Sequence, residues 1–437
     1  MKPLKPVFLK CAVQKYEWGK RGEESAAARI FSRNSGCPVE DKPYAELWMG
    51  THDSGPSLVL FSGSSPDSKL LPLKEWLSQN PEVLGDRVVQ RWGTDLPFLF
   101  KVLSVAKALS IQAHPDKELA PVLHKERPDI YKDPNHKPEM ALALTEFEAL
   151  CGFIDLEELK GVLGSLPEIV NLVGKESVEE LLNIDRSDAK DVKAALQSVF
   201  TQLMSAKQDA VSETVLELKS RLIKEKQVRH LTTKEQLALR LEEQYPNDVG
   251  VLSSFFLNYV KLNPGEALYL DANEPHAYIY GDCVECMATS DNVVRAGLTP
   301  KYRDVETLCS MLTYKQGYPN ILKGAEVSEY TKSYQPPFDE FEVDQCCLPA
   351  GRSTTFSAVQ KPSIFIVLDG HGSMKIGLED EILLTTGNIF LVPAGMEIIL
   401  TANADSAETS SKDNDTNENN KSSTFQLCRA VVNSRFV

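Results

Sequence analysis

The sequence predicts a mainly β protein whose strands are interrupted once by a block of helices. Short apolar runs of strand length occur before residue 152 and return after residue 250. Between Pro167 and Pro246 the chain contains no further proline, and its apolar residues recur at three- and four-residue spacing. That spacing is typical of amphipathic helices, so this stretch is predicted to be a helical insert.

The first strand-rich part contains the run LPFLFKVLSVAKALSIQAH, which ends at His114 and is consistent with a pair of buried strands. Inside the insert, capping boxes predict helix starts at Ser177 with Glu180 and at Thr232 with Glu235. After residue 250 the segments ALYL, AYIY, SIFIVLDG and NIFLVPAGMEIILTA read as strands. Residues 408–424 are entirely polar, which predicts a mobile loop between two C-terminal strands.

One internal similarity refines the fold class. GEALYLDANEPH begins at Gly265 and ends at His276, and GNIFLVPAGMEI begins at Gly387 and ends at Ile398. In both, a glycine opens a five-residue strand and a short turn follows, as in a cupin-type motif that ends in a metal-binding histidine. The pair resembles two cupin-like jelly-roll barrels, one of which has isoleucine in place of the ligand. The alternative is a chance match of two turn-containing strands.

These patterns predict three domains in a chain of 437 residues, which is too long for one compact core. Residues 1–152 and 250–325 are predicted to form a catalytic cupin-like domain. Residues 153–249 form the helical insert, and residues 326–437 form a C-terminal cupin-like barrel without metal ligands.

Charge and cysteine usage restrict the partners and the compartment. The net charge of -15 repels nucleic acid and anionic membranes, and no apolar run approaches the length that spans a bilayer. The N-terminus lacks the pattern of a signal peptide, and nine scattered cysteines fit reduced thiols, so a cytoplasmic protein is expected. Cys283 and Cys286 form a C-x-x-C pair, which we interpret as two buried strand thiols.

A set of possible metal ligands surrounds the stretch SIQAHPDK. Gln112 and His114 are two residues apart on a strand and therefore point to one face, although a strand end facing water would give the same pattern. Glu139 follows a proline at the start of another alternating strand, and the repeat supplies His276. Two imidazoles, a carboxylate and an amide suit zinc, while manganese, iron and nickel are also acceptable.

Five stretches make the sequence resemble the type I mannose-6-phosphate isomerases. They are QKYEWG, AELWMGTH, SIQAHPDK, HKPEMALAL and NVVRAGLTPKY, and they occur in this order within the first 302 residues. The resemblance implies one zinc ion per chain, held by Gln112, His114, Glu139 and His276, and an active-site arginine at Arg295. It also implies interconversion of mannose 6-phosphate and fructose 6-phosphate, which supplies mannose for nucleotide sugars such as GDP-mannose and for glycans.

Such an isomerisation moves a proton between two carbons through an enediolate and therefore requires a base. The candidates for the base are Glu285, Asp291 and Lys137. A local group of cations must hold the substrate phosphate in an acidic protein. Contacts to substrate are predicted for Ser110, Lys137 and Lys301 and for the pocket-lining aromatics Trp18 and Tyr278. The chain is expected to act as a monomer.

Two other functions fit a cupin-like barrel with a metal. One is a non-catalytic protein that binds a sugar phosphate and keeps its metal for stability. The other is a metal-dependent oxygenase, because iron sites use similar ligands. The basic RAGLTPK segment beside a complete ligand set favours the isomerase over both.

Overall fold

The structure is a computed structural model that describes residues 4–60, 70–184, 189–379, 381–404 and 424–436. The loop predicted at 408–424 lies outside the described residues except at its last position. The chain divides into two compact units. The first comprises Met1–Ser104, Val284–Thr289 and Leu322–Val437, and the second comprises Val105–Cys283 and Ser290–Ile321. The division into three domains stays a prediction.

The N-terminal part of the first unit alternates short strands with short helices. Helix α1 (Ala26–Ser35) begins after Ser25, whose side chain accepts a hydrogen bond from the Ala28 N–H, and is followed by Gly36 in the left-handed conformation. The elements are β1 (Val7–Lys10), β2 (Ala12–Gln14), β3 (Lys20–Arg21), α1 (Ala26–Ser35), β4 (Pro43–Tyr44), β5 (Glu46–Met49), β6 (Leu58–Leu60), β7 (Leu71–Pro72), α2 (Leu73–Gln79), α3 (Asp86–Trp92) and β8 (Phe98–Val105).

The second unit combines strands with most of the helices of the chain. Its elements are β9 (Ile111–Ala113), α4 (Leu119–Glu126), β10 (Glu139–Ala143), β11 (Phe147–Phe153), α5 (Leu156–Ser165), α6 (Pro167–Val173), α7 (Lys175–Asn183), α8 (Ala189–Ser205), α9 (Gln208–Glu225), α10 (Thr233–Gln244), α11 (Val249–Ser253), β12 (Leu257–Leu262), β13 (Ala267–Leu270), β14 (His276–Ala288), β15 (Val294–Gly297) and α12 (Val305–Met311). The last residues of β14 belong to the first unit.

The helical insert shares one apolar core with these strands. Phe200 on α8 packs edge-on against Phe153 on β11, with ring centroids 5.1 Å apart, and Tyr314 stacks on Phe153 at 5.3 Å. All three side chains belong to a single cluster of buried residues that extends through both the helices and the strands. Packing of these apolar faces, rather than helix propensity, therefore supplies most of the stability of the insert.

One of the two predicted helix starts in the insert is correct. Thr232 and Glu235 form the complete capping box at the start of α10. The start predicted at Ser177 is wrong, because α7 already begins at Lys175. The residue before it is Gly174, with φ of 95°, a conformation that glycine adopts without steric cost.

The C-terminal part of the first unit is built from two sheets over one core. Its elements are β16 (Ile321–Leu322), β17 (Ala325–Ser328), β18 (Thr331–Tyr334), β19 (Glu342–Leu348), β20 (Ser353–Phe356), β21 (Ser363–Asp369), β22 (His371–Lys375), β23 (Ile382–Thr385), β24 (Ile389–Val392), β25 (Ile398–Ala402) and β26 (Phe425–Val431). The first sheet has the order β17-β18-β19-β26-β21-β24-β1-β6-β7, and the second has the order β20-β25-β22-β23. One apolar cluster contains residues of both, as expected for a jelly-roll sandwich.

The internal similarity seen in the sequence is present in the structure. Gly265 and Gly387 have φ of 83° and 89°, and each precedes a four-residue strand, β13 or β24. After the turn, His276 begins β14 and Ile398 begins β25. Ile398 is buried in the apolar cluster of the C-terminal sheets. The predicted fold class, strands with a helical insert and cupin-like barrels, is confirmed.

Two smaller observations complete the fold. Cys283 and Cys286 are both buried on β14, as the sequence predicts. Within the described ranges, no helix combines the length and apolar character needed to cross a membrane.

Candidate metal and active site

Three antiparallel strands place the central residues of the site on one face. In the second unit, β9 pairs with β14 and with β15, so that Gln112 lies opposite both His276 and Arg295. Side chains directly opposite each other in antiparallel strands project to the same side of the sheet. Gln112, His276 and Arg295 therefore share one face, and His114, two residues after Gln112 at the end of β9, follows the same alternation.

A carboxylate completes this group from another strand. Glu139 begins β10, and its Oε1 and Oε2 atoms lie 3.4 Å from His114 Nε2 and 3.5 Å from His276 Nε2. The two imidazole rings are 5.0 Å apart, and all three side chains are buried. Among the described residues, this is the group of His, Cys, Asp and Glu side chains with the geometry to hold a metal ion.

The outward nitrogens of both imidazoles are fixed by backbone carbonyl groups. His114 Nδ1 lies 2.7 Å from the carbonyl oxygen of Asn292, and His276 Nδ1 lies 3.0 Å from that of Glu274. Because a carbonyl oxygen can only accept, Nδ1 carries the proton in both rings and donates it. The lone pair of each ring is then on Nε2, the atom that faces Glu139, as in metal-binding histidines with a backbone partner.

The lone pairs of these three side chains converge in a way that fits a bound metal cation. Both Nε2 atoms are buried without a hydrogen-bond partner among the described residues, and each faces a carboxylate oxygen that also offers lone pairs. Protonation of His114 does not resolve this conflict, because burial lowers its pKa to about 4. Two ligands bound tetrahedrally at zinc distances of about 2.1 Å would be separated by about 3.4 Å, close to the separations observed.

Gln112 is oriented by a neighbouring hydroxyl group. Ser110 Oγ donates a hydrogen bond of 3.1 Å to Gln112 Oε1, which leaves a second lone pair on that oxygen. This contact ties Ser110, predicted as a substrate contact, to the amide that was predicted as a ligand. It fixes which end of the amide faces Ser110.

Two cations accompany the cluster, and they differ in their surroundings. Lys137 Nζ lies 3.1 Å from Glu139 Oε1. Burial raises the pKa of Glu139, but Lys137 and the two imidazoles outweigh it and hold that pKa well below its ordinary value. Arg295 is half-buried, and its guanidinium has no ion pair or side-chain hydrogen bond with a residue that the structure describes. Burial lowers the pKa of Arg295, yet a guanidinium stays charged at neutral pH.

The other residues predicted in the second unit are also placed. Lys301 is exposed, and its backbone N–H donates to the Thr299 hydroxyl at 3.1 Å. Tyr278 is buried on β14 two residues after His276, with its ring 5.3 Å from that of Phe147. Asp291 is exposed.

The two predicted residues in the first unit have different environments. Trp18 is half-buried and stacks on Tyr16 with ring centroids 5.9 Å apart. Glu285 is buried and forms an ion pair of 2.8 Å with Lys101. A buried carboxylate with a cationic partner is typical of functional sites and also of structural ion-pair networks.

A buried charge cluster surrounds Lys101 in this unit and was not predicted from the sequence. Besides Glu285, Lys101 Nζ lies 3.2 Å from Glu46 Oε2, and the same oxygen accepts a hydrogen bond of 2.6 Å from Trp48 Nε1. The ammonium also lies over the Trp48 ring, 5.3 Å from its centroid. One signal was available, because Lys101 is the charged residue of a strand whose eight residues are all buried.

Asn292, which anchors His114, was likewise not predicted from the sequence. Its backbone carbonyl accepts the His114 proton, and its side-chain Nδ2 donates to the carbonyl oxygens of Asp133 at 2.6 Å and Asn135 at 2.9 Å. Asn292 is fully buried and lies three residues before Arg295. It therefore ties together the segments that carry His114, Glu139 and Arg295.

Comparison with known proteins shows the family of this chain. The model "Phosphomannose isomerase type I, catalytic domain" matches residues 7–156. The models for the helical insertion domain and the C-terminal region of the same family match residues 172–257 and 334–378. Mannose-6-phosphate isomerase 2 of Arabidopsis thaliana is 57% identical over 98% of this chain and 94% of its own length. The chain belongs to the type I phosphomannose isomerase family. It is an enzyme of the isomerase class.

More distant members of the family share the fold over nearly the whole chain. Human mannose-6-phosphate isomerase is 41% identical over 90% of this chain and 94% of its own length. A solved phosphomannose isomerase from Salmonella typhimurium aligns with a TM-score of 0.80 at 26% identity, covering 98% of this chain and all of the other. A solved mannose 6-phosphate isomerase bound with zinc and yttrium aligns at 0.79 and 26% identity, with the same coverage.

Proposed function

We propose that this member of the type I phosphomannose isomerase family interconverts mannose 6-phosphate and fructose 6-phosphate at a site that holds one zinc ion. The zinc ligands are Gln112, His114, Glu139 and His276, the four residues that the sequence predicts. A relative of the same fold is described as bound with zinc, which supports the choice of metal.

One observation carries this proposal. Two buried imidazole Nε2 atoms that lack a hydrogen-bond partner among the described residues converge with a buried carboxylate. Arg295, whose guanidinium has no described partner, lies on the same sheet face as His276. The first feature needs a cation, and the second needs an anion. A phosphorylated sugar that passes through an enediolate provides the anionic charge.

The chemistry divides between the metal and the side chains. Bound at this site, zinc supplies a positive charge that polarises oxygen atoms of the substrate. Arg295 contributes a permanent cation beside the reacting carbons, where negative charge develops as the carbon-bound proton leaves. Because Gln112 lies opposite Arg295 and His276 in register, one sheet face presents both positive centres to the sugar.

The remaining substrate contacts are assigned by chemistry. Lys301 is an exposed cation six residues after Arg295 and is proposed to bind the phosphate, with Lys137 and Ser110 sharing phosphate and hydroxyl contacts. Trp18 and Tyr278 are proposed to line the sugar pocket. The base that takes the proton is one of Glu285, Asp291 and Lys137.

The wider role follows from the reaction. We propose that the enzyme works as a cytoplasmic monomer and supplies mannose for GDP-mannose and glycans. An isomerisation of this kind is reversible, so flow from mannose 6-phosphate toward fructose 6-phosphate is equally allowed.

The reaction is tested by following mannose 6-phosphate by nuclear magnetic resonance in the presence of the purified, zinc-loaded protein. We expect fructose 6-phosphate to form without oxygen consumption and the same equilibrium mixture to be reached from fructose 6-phosphate. Binding of mannose 6-phosphate without conversion would refute the isomerase and favour the sugar-phosphate-binding protein. Product formation that depends on oxygen would favour the oxygenase.

A further inference from the structure

Asp248, near the end of the helical insertion, holds the chain segment that follows Arg295. Its Oδ1 accepts hydrogen bonds from the backbone N–H groups of Gly250 and Leu298, both at 2.6 Å. Its Oδ2 accepts a third hydrogen bond of 3.1 Å from the Thr299 N–H. One carboxylate thus caps α11 and also binds two successive amides just after β15, about fifty residues away in the chain.

The backbones meet at this point without side chains between them. A Cβ atom on Gly297 would lie 2.5 Å from Gly250 Cα, and one on Gly250 would lie 2.5 Å from the Leu298 nitrogen. Leu298 has φ of 54°, in the left-handed region that residues other than glycine rarely adopt. Such a conformation persists only when its surroundings hold it, and the Asp248 carboxylate provides two of those contacts through the Leu298 and Thr299 amides.

Strand pairing alone does not hold this segment. The register of β15 against β9 shifts between Arg295 and Gly297, so the regular ladder is interrupted immediately after Arg295. Beyond that interruption, the amides of Leu298 and Thr299 donate to Asp248. The insertion therefore supplies the fixed point for the segment between Arg295 and Lys301.

We propose that Asp248 is a positioning residue for turnover, through which the helical insertion sets the placement of Arg295 and Lys301. This role rests on the function proposed above, in which Arg295 stabilises developing charge and Lys301 binds phosphate. Asp248 acts through the backbone of residues 297–299 and has no contact with substrate.

The test compares Asp248→Ser with Asp155→Ser. Asp155 caps α5 in the same unit, where its Oδ1 accepts a hydrogen bond of 2.9 Å from the Glu158 N–H. Serine is also a good helix cap, so both variants keep the cap. The shorter serine side chain has one oxygen and cannot bind the Gly250, Leu298 and Thr299 amides together, so Asp248→Ser releases the segment after Arg295.

We expect Asp248→Ser to lower kcat for mannose 6-phosphate by about tenfold or more, because a displacement of about 1 Å can reduce a rate by about 10²-fold. Its zinc content and Tm should match those of Asp155→Ser, whose kcat should equal that of the wild type. In the Arg295→Ala background the effect of Asp248→Ser on kcat should fall below about twofold, because the positioned group that acts on the developing charge is gone. Lys301, which binds phosphate, is still displaced in that background, and its displacement should appear in KM.

Several outcomes would overturn the positioning role. The first is an unchanged kcat in Asp248→Ser. The second is a loss of kcat on Asp248→Ser that has the same size in the wild-type and in the Arg295→Ala background. Both are judged with a wild-type protein that is active. If Asp248→Ser does not fold, Asp248→Asn is judged by the same criteria. The asparagine amide keeps one acceptor oxygen but places an NH₂ donor where a carboxylate oxygen accepted from the backbone N–H groups of Leu298 or Thr299. A zinc-loaded wild type without turnover would refute the proposed isomerase itself, and the role of Asp248 with it.

Discussion

Alanine in place of Arg295 is expected to lower kcat for mannose 6-phosphate by about 10²- to 10³-fold, the loss typical when one donor to a developing oxyanion is removed. The guanidinium projects from the face shared with Gln112 and His276 and has no described protein partner, so its charge is available to the substrate. It makes no described contact with the metal cluster, and zinc content should therefore stay at the wild-type level. Steady-state kinetics and metal analysis of one preparation check both parts.

Two further variants sharpen this test. Arg295→Lys keeps a cation but loses the planar guanidinium, and we expect an intermediate kcat. Arg435→Ala removes an exposed arginine of the first unit whose ion pair with Asp339 is 3.6 Å long, and should leave kcat unchanged. Full activity of Arg295→Ala, or loss of its zinc, would show that the role given to this residue is wrong.

Glutamine in place of Glu139 should remove most of the zinc affinity. The carboxylate lies between the two Nε2 atoms and beside Lys137, and an amide of the same size keeps the shape while losing the charge. Outer partners of metal ligands typically contribute about 10- to 100-fold to affinity, so loss of the negative charge of a direct ligand should exceed that range. A zinc-binding titration against a chelator of known affinity measures the change, and turnover should fall with zinc occupancy.

A buried glutamate elsewhere serves as the control. Glu342 on β19 is buried, and its Oε2 accepts hydrogen bonds from Ser434 N at 2.9 Å and Oγ at 2.8 Å. Burial raises the pKa of Glu342, so Glu342→Gln should be mild and leave zinc affinity unchanged. Equal zinc affinity in Glu139→Gln and the wild type would contradict the role of the Glu139 carboxylate as a charged ligand.

Local patterns in the sequence were sufficient to find most of the candidate site. Alternation along a strand placed Gln112 and His114 on one face, and the glycine-led repeat singled out His276. Glu139 was proposed from its position after a proline at the start of a strand, and β10 does begin there. Arg295 came from the resemblance of its segment to a family motif. These inferences depend on residues that are near each other in the chain.

Contacts between distant segments could not be predicted in this way. The register that places Gln112 opposite both His276 and Arg295 follows from the pairing of three strands, and no local pattern specifies it. The same holds for the hydrogen bond from the Leu298 N–H to Asp248, for the Asn292 carbonyl that accepts from His114, and for the Lys101 cluster.

The incorrect helix start shows a limit of motif reading. Ser177 and Glu180 have the spacing of a capping box, but the helix begins at Lys175 because Gly174 provides the turn that precedes it. A capping motif therefore predicts a helix start reliably only when no glycine turn a few residues earlier already starts the helix. At Thr232 there is no such competitor, and the predicted box is formed.

The most direct test of this account is a titration of zinc into metal-free wild-type protein, with formation of fructose 6-phosphate from mannose 6-phosphate measured at each addition. We expect no turnover without metal, a linear rise in rate as zinc is added, and a plateau at one zinc ion per chain. Full turnover by the metal-free protein would contradict the metal site as the centre of the reaction. A folded protein that binds one zinc ion and still forms no fructose 6-phosphate would contradict the isomerisation itself.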